Sequence, residues 1–300
     1  MNGASVERFE LVTLESGVCS VKSLANGQVF HPVVGPAAET EAIHLRGAGL
    51  VERVEAWAQL RNPFVIWDVG LGAGATALAA LAALESAGGR LAGREVELVS
   101  FDRSTAALRF ALEHADALGY PRGYEARIDE LLTRRLTPPG TGSNAAVAVT
   151  WSFVEGDFPE MLRARNQADR LLPPNAIFFD PYSPAVNPEM WTLRLFELLR
   201  GVLQPTQACL LTTYSRSTSV RVTLLLAGFF VGLGAATGEK EQTTVATNDP
   251  ALLVRPLGQR WWNETVRASA NAAPLRGPHF SRGPITTDDF DRLRQHPQFG

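Results

Sequence analysis

The stretch that most constrains what this chain can fold into is Phe64 to Ala80, FVIWDVGLGAGATALAA. Phe64, Val65, Ile66 and Trp67 form a short apolar run ending at Asp68. That is the pattern of a central strand in a parallel sheet, covered on both faces. Gly70, Gly72 and Gly74 follow at alternate positions. Glycine reaches positive φ without steric cost and lets a ligand approach bare backbone. Ala75 to Ala83 is almost all Ala and Leu, a helix that can lie tight on a sheet. Its N-terminus offers free N–H groups and a partial positive charge to whatever the turn holds. The stretch reads as a cradle for a nucleotide-bearing cofactor.

The residue ahead of the turn bears on which cofactor. Gly70, Gly72 and Ala75 satisfy G-x-G-x-x-G/A, a pattern found in dinucleotide binders. Asp68, however, puts a carboxylate at the carboxyl end of the strand, where a pyrophosphate would be repelled. S-adenosylmethionine carries an ammonium and a sulfonium and no phosphate, so it is attracted there. Asp-x-Gly-x-Gly-x-Gly is similar to motif I of the class I methyltransferases. An NAD-binding oxidoreductase is the competing class, disfavoured by Asp68 and by the absence of a second nucleotide-binding half.

The rest of the chain fits an α/β protein with a Rossmann-like, doubly wound sheet. Residues 10–34 alternate like strands, with Asn26-Gly27 as a hairpin signal, and predict a small N-terminal β appendage. Val96 to Phe101 is a second strand ending at Asp102, where a ribose pair of hydroxyls is held in such folds. Residues 122–150 read as a polar surface insertion with a helix near 128–136. Trp151 to Asp157 is a third strand and turn; Asp157 suits either the adenine amino group or the cap of a helix starting at Phe158. Ala176 to Phe179 is the fourth strand, with Asp180-Pro-Tyr-Ser-Pro at its carboxyl end. Ligands of open α/β sheets bind outside those ends, and the prolines hold Asp180 and Tyr182 in place. A helix is expected over 189–203, a fifth strand over 208–213, and a closing antiparallel hairpin from 228–233 and 243–247. The expected division is an appendage over 1–62, a methyltransferase domain over 63–262 and an extended or disordered tail over 263–300.

Composition excludes several classes. The net charge is −3 and Lys occurs only at Lys22 and Lys240, so no global basic field advertises nucleic acid. Cys19 and Cys209 are isolated, without metal or disulfide spacing, which suits a reduced, cytoplasmic setting. The N-terminus lacks the charge-then-apolar pattern of a signal peptide. Val220 to Leu233 is too short to span a bilayer and contains Arg221.

The fourth-strand loop narrows the reading further. IFFDPYSPAVNPEMWTLRLFELLRGVLQP resembles the D-x-F-x-P-x-x-N-P-x-M-W segment of the MnmC methyltransferase family. DVGLGAGATALAAL resembles its glycine loop, TYSRSTSVRVTLLLAGFFV its fifth strand and next helix, and HPVVGPAAE its entry segment. The resemblance implies N-methylation of an aminomethyl group on the wobble uridine of tRNA. It implies that Asp68, Gly70, Gly72 and Gly74 hold the methionine end of S-adenosyl-L-methionine, Asp102 its ribose and Asp157 its adenine. Asp180 would face the acceptor amine, with Tyr182 and Pro184 walling the site and His31 and Asn187 meeting the substrate. No metal is implied. Bifunctional members add a flavin-dependent oxidase; here that step is expected to belong to another protein. The family's basic run near the last hairpin corresponds to Gly238-Glu239-Lys240-Glu241-Gln242, which removes phosphate contacts. A small-molecule or protein amine therefore remains the alternative acceptor.

Overall fold

The computed structural model describes residues 7–57, 62–138, 147–164, 171–237, 242–277, 279 and 282–299. Ten strands are present among them: β1 (Phe9–Thr13), β2 (Cys19–Ser23), β3 (Phe64–Val69), β4 (Arg94–Asp102), β5 (Leu136–Thr137), β6 (Val147–Glu155), β7 (Ala176–Phe179), β8 (Leu210–Thr213), β9 (Phe230–Leu233) and β10 (Thr244–Thr247). β1 and β2 pair antiparallel in a sheet of their own. The other eight form one sheet in the order β5-β6-β4-β3-β7-β8-β10-β9. β6 and β4, β3 and β7, and β7 and β8 pair parallel, whereas β5 with β6, β8 with β10 and β10 with β9 pair antiparallel. This is the expected α/β fold, with its antiparallel closing hairpin and its N-terminal β appendage.

The chain divides into two compact units. The first comprises mainly the residues up to Phe64 together with Gly70–Gly156. In it β4 and β6 run parallel over nine pairs, from Arg94↔Val147 to Asp102↔Glu155. β6 begins at Val147, four residues before the expected start, because AVAVTW already alternates toward the core: Val147, Val149 and Trp151 are buried. The expected insertion is a helix, Glu125–Arg134, followed by β5 on the outer edge of β6. Arg127 of that helix bonds Thr137 Oγ1 and the Val149 carbonyl. In the appendage the tight turn lies between β1 and β2, where Gly17 takes φ +79°. The stretch after Asn26-Gly27 contributes one bridge, Lys22↔Val29, rather than a third strand.

The second unit comprises mainly Val65–Val69, Asp157–Ala236 and the C-terminal residues. Every residue of β3 and β7 is buried, as a sheet covered on both faces requires. The helix expected over 189–203 is broken in two. Pro188–Trp191 is a 3-10 turn, and Thr192 then caps Leu193–Val202 through Leu195 N at 3.2 Å. A threonine hydroxyl satisfies a helix N–H best from an extended backbone, which ends the preceding turn.

The C-terminal residues are not an extended tail. Thr286 and Asp289 form a capping pair that starts the helix Thr287–Arg294. Trp262, in a π-helical turn over Trp261–Val266, packs its ring against Phe290 and Phe299. Gln298 bonds the N–H and carbonyl of Val231 on the edge strand β9, each at 2.7 Å. The Gly238–Glu241 run lies outside the described residues. Among the described residues no helix is long and apolar enough to cross a membrane.

Candidate active site

Neighbouring backbone folds the glycine turn. Gly70 N and Leu71 N both donate to the Phe101 carbonyl, at 3.0 and 3.1 Å, and Gly74 N closes onto Leu71 O at 2.8 Å. Gly70, Gly72 and Gly74 take φ of +98°, +50° and +83°, a region side chains strongly disfavour. Gly74 is also required by proximity, because a Cβ there would stand 2.6 Å from Leu108 Cδ1. Ala73 is buried with Val21 of β2, Ala111 and Leu118, and Phe30 packs on that cluster. The appendage thus braces the turn, and the Tyr120 hydroxyl donates to Ala73 O at 3.2 Å.

Asp102 closes β4 with its carboxylate turned to the same turn. Oδ2 accepts from Gly72 N at 2.9 Å and Oδ1 from Arg103 N at 2.7 Å. Burial raises its pKa above the ordinary aspartate range, and the amides of Gly72, Arg103 and Ser104 push it back. An ionised carboxylate accepts about four hydrogen bonds, so a hydroxyl can join the amides. A turn with three glycines beside a carboxylate fixed by amides suits S-adenosyl-L-methionine, with the carboxylate toward the ribose hydroxyls.

In the second unit the register of β3 and β7 sets the geometry. Val69 pairs with Phe179, and Asp180 N donates to Val69 O at 2.9 Å. Asp180 therefore leaves its strand beside the end of β3, the strand that carries Asp68. Asp68 is fully buried, opposite Phe178. After Asp180 the loop is held by two side chains that bond its carbonyls. Tyr214 OH donates to Pro181 O at 2.9 Å, and Trp191 Nε1 to Tyr182 O at 2.8 Å. The two rings meet edge-on at 5.8 Å. Burial, and then the Asp180 charge, raise the Tyr214 phenol well above its usual pKa, so it stays a donor. Ser183 O accepts from both Val186 N and Asn187 N at 2.9 Å. Asn187 Oδ1 is buried without a hydrogen-bond partner.

The sequence-predicted residues thus gather in two sets. Gly70, Gly72, Gly74 and Asp102 share one turn. Asp180, Tyr182, Pro184 and Asn187 share one loop beside the β3 end. Asp157 caps the helix Phe158–Arg163 through Glu160 N at 2.9 Å, the second of its two expected roles. His31, at φ +48°, adjoins the buried His44, whose pKa burial and the His31 charge push down to about 3. Sequence reasoning missed Tyr214 and Trp191 as holders of the Asp180 loop. An aromatic just past the fifth strand was the available signal for Tyr214.

A sequence model of the S-adenosyl-L-methionine-dependent methyltransferases matches residues 145–249. The chain carries an S-adenosyl-L-methionine-dependent methyltransferase domain. Over 225 residues, 73% of its length, it is 31% identical to the tRNA 5-methylaminomethyl-2-thiouridine biosynthesis bifunctional protein MnmC of Ralstonia nicotianae, of which it covers 31%. The MnmC of Methylibium petroleiphilum is 29% identical over 243 residues, 78% of this chain and 34% of that protein. The chain thus spans about a third of the length of these relatives. A MnmC2 crystal structure from Aquifex aeolicus shares the fold of this methyltransferase domain, with a TM-score of 0.66 at 24% identity, over 97% of this chain and 86% of that one. The resemblance read from the fourth-strand loop is borne out.

Proposed function

We propose that this methyltransferase N-methylates an aminomethyl group on the wobble uridine of tRNA. The observation that carries the reading is the loop from Asp180 to Trp191. A carboxylate leaves the strand end there, and the same rigid loop holds an unpartnered side-chain oxygen, Asn187 Oδ1. Both groups accept hydrogen bonds, and an amine substrate presents N–H donors to them. The MnmC names of the relatives support tRNA as the bearer of that amine.

Bound S-adenosyl-L-methionine supplies an electrophilic methyl group on a sulfonium. Asp68 offers the cationic end of the cofactor a negative charge. Gly70, Gly72 and Gly74 give it bare backbone, Asp102 takes the ribose, and Asp157 is the proposed adenine contact. Asp180 would accept a hydrogen bond from the acceptor amine and so orient its lone pair for methyl transfer. Such positioning is worth about 7–11 kcal/mol of a barrier. A carboxylate is a weak base, so Asp180 orients the amine and passes its proton toward water. Tyr182 and Pro184 wall the acceptor, while His31 and Asn187 contact it. The implied partner is a flavin-dependent oxidase acting upstream on the same nucleoside, in the cytoplasm.

The test incubates the protein with methyl-labelled S-adenosyl-L-methionine and tRNA from cells lacking the activity. Mass spectrometry of the nucleosides should find the label on the aminomethyl nitrogen of the wobble uridine. Label absent from tRNA but present on a small-molecule or protein amine would replace this reading with the alternative acceptor.

A further inference from the structure

Arg221 is a buried cation that the proposed chemistry leaves unused. It lies on the helix Thr218–Leu226 and is 5% exposed. Burying a guanidinium is costly unless its N–H groups are satisfied. Here the partners are neutral: Nε donates to Thr244 Oγ1 and Nη2 to Thr243 O, both at 3.0 Å. Among the described residues it makes no ion pair, and burial lowers its pKa to about 10, so it remains charged at neutral pH. Its two hydrogen bonds tie the helix to Thr243 and Thr244.

The geometry it fixes can be followed bond by bond. Thr244 stands opposite Thr213, the last residue of β8. Its hydroxyl takes the Arg221 N–H and donates its own proton to Ser215 O at 2.6 Å. Ser215 follows Tyr214, whose hydroxyl reaches Pro181 O, the residue after Asp180. A hydroxyl that both accepts and donates has a single orientation, and hydrogen bonds in series polarise one another.

We propose that Tyr214, anchored from behind by Arg221 through Thr244 and Ser215, is the positioning residue that sets where Asp180 stands. The inference rests on the reading of Asp180 as the group that orients the acceptor amine. Tyr214 makes no contact with substrate in this account. Its hydroxyl fixes the Pro181 carbonyl, the Asp180 N–H bond to Val69 fixes the other side, and the backbone that carries the carboxylate is held between them. A displacement on the order of 1 Å at an orienting group can cost about a hundredfold in rate.

The test uses Tyr214→Phe, Thr244→Val and the double variant in the full chain. Tyr214→Phe keeps the ring on Trp191 and removes only the hydroxyl; Thr244→Val removes the connecting hydroxyl at nearly constant shape. Rates are measured with labelled S-adenosyl-L-methionine and tRNA, cofactor binding by calorimetry, and amide exchange of the Asp180–Trp191 peptide by mass spectrometry. Tyr214→Phe should lower kcat at least about tenfold with cofactor affinity unchanged, and the double variant should lose no more than Tyr214→Phe alone, as expected of residues acting through one path. Exchange at the loop amides should rise in both single variants. Wild-type kcat in Tyr214→Phe, multiplicative losses in the double variant, or unchanged exchange would each overturn the inference. If the wild type labels no tRNA, the substrate reading fails, and the exchange measurement alone decides the placement of the loop.

Discussion

The Trp191 indole N–H donates to the Tyr182 carbonyl at 2.8 Å, and through that bond a fully buried ring controls the loop beginning at Asp180. Trp191 also packs edge-on against Phe179 at 5.2 Å, in the strand leading into the loop. Trp191→Phe keeps an aromatic ring but leaves a carbonyl without its donor and a small void. The expected stability loss is about 2–4 kcal/mol, read from urea unfolding. Methyl transfer per folded molecule should fall further than cofactor affinity does.

The two inner glycines of the turn should differ in their response to alanine. At Gly72 an added Cβ would meet Phe30 at an ordinary 3.5 Å, so the cost is the left-handed backbone alone, about 1 kcal/mol. At Gly74 the same strain is joined by a 2.6 Å clash with Leu108, for a total of about 2–4 kcal/mol. Thermal unfolding should rank Gly74→Ala well below Gly72→Ala, and calorimetry should find weaker cofactor binding in both.

His44 gives the fold an acid sensitivity of known sign. Its folded pKa of about 3 lies below the ordinary 6.5. Between those values the unfolded chain binds a proton that the native one does not, so stability rises with pH across that window and falls on acidification. The slope from this residue is up to about 1.4 kcal/mol per pH unit. Urea titrations from pH 4 to 7 should show it in the wild type, and His44→Leu should flatten it.

How much could be read beforehand depended on whether the signal was local. The glycine turn, the acids at the ends of β4 and β7 and the β9–β10 hairpin each carry their pattern within a few residues, and each formed as expected. The early start of β6 was hidden because Gly and Ser precede Val147 and mask its alternation. Thr192 breaks a continuous apolar period by capping, which only the backbone angle reveals. The helix at Thr287 had its Thr286–Asp289 signature in plain view, but Pro, Gly and Arg around it read as tail. For Tyr214 the local signal, an aromatic just past the fifth strand, does not say what the hydroxyl holds. Its partner is Pro181, 33 residues away, and only tertiary packing brings them together.

Gln298 should prove structural, not catalytic. It satisfies both backbone groups of Val231 on the outermost strand and also donates to Leu257 O at 2.7 Å. Gln298→Ala leaves Val231 N without its acceptor, although Val231 O keeps Leu257 N at 3.0 Å; it costs about 1–3 kcal/mol and opens part of a strand edge to association. Chemical denaturation and light scattering should register both effects, with kcat unchanged.

The most direct measurement of the account compares Asp180→Asn with the wild type, pairing calorimetry of S-adenosyl-L-methionine binding with label transfer to tRNA. Asp180→Asn should bind the cofactor as tightly as the wild type and transfer methyl groups at least about a hundredfold more slowly. A variant that methylates at the wild-type rate would remove the Asp180 carboxylate from the reaction and contradict the account at its centre.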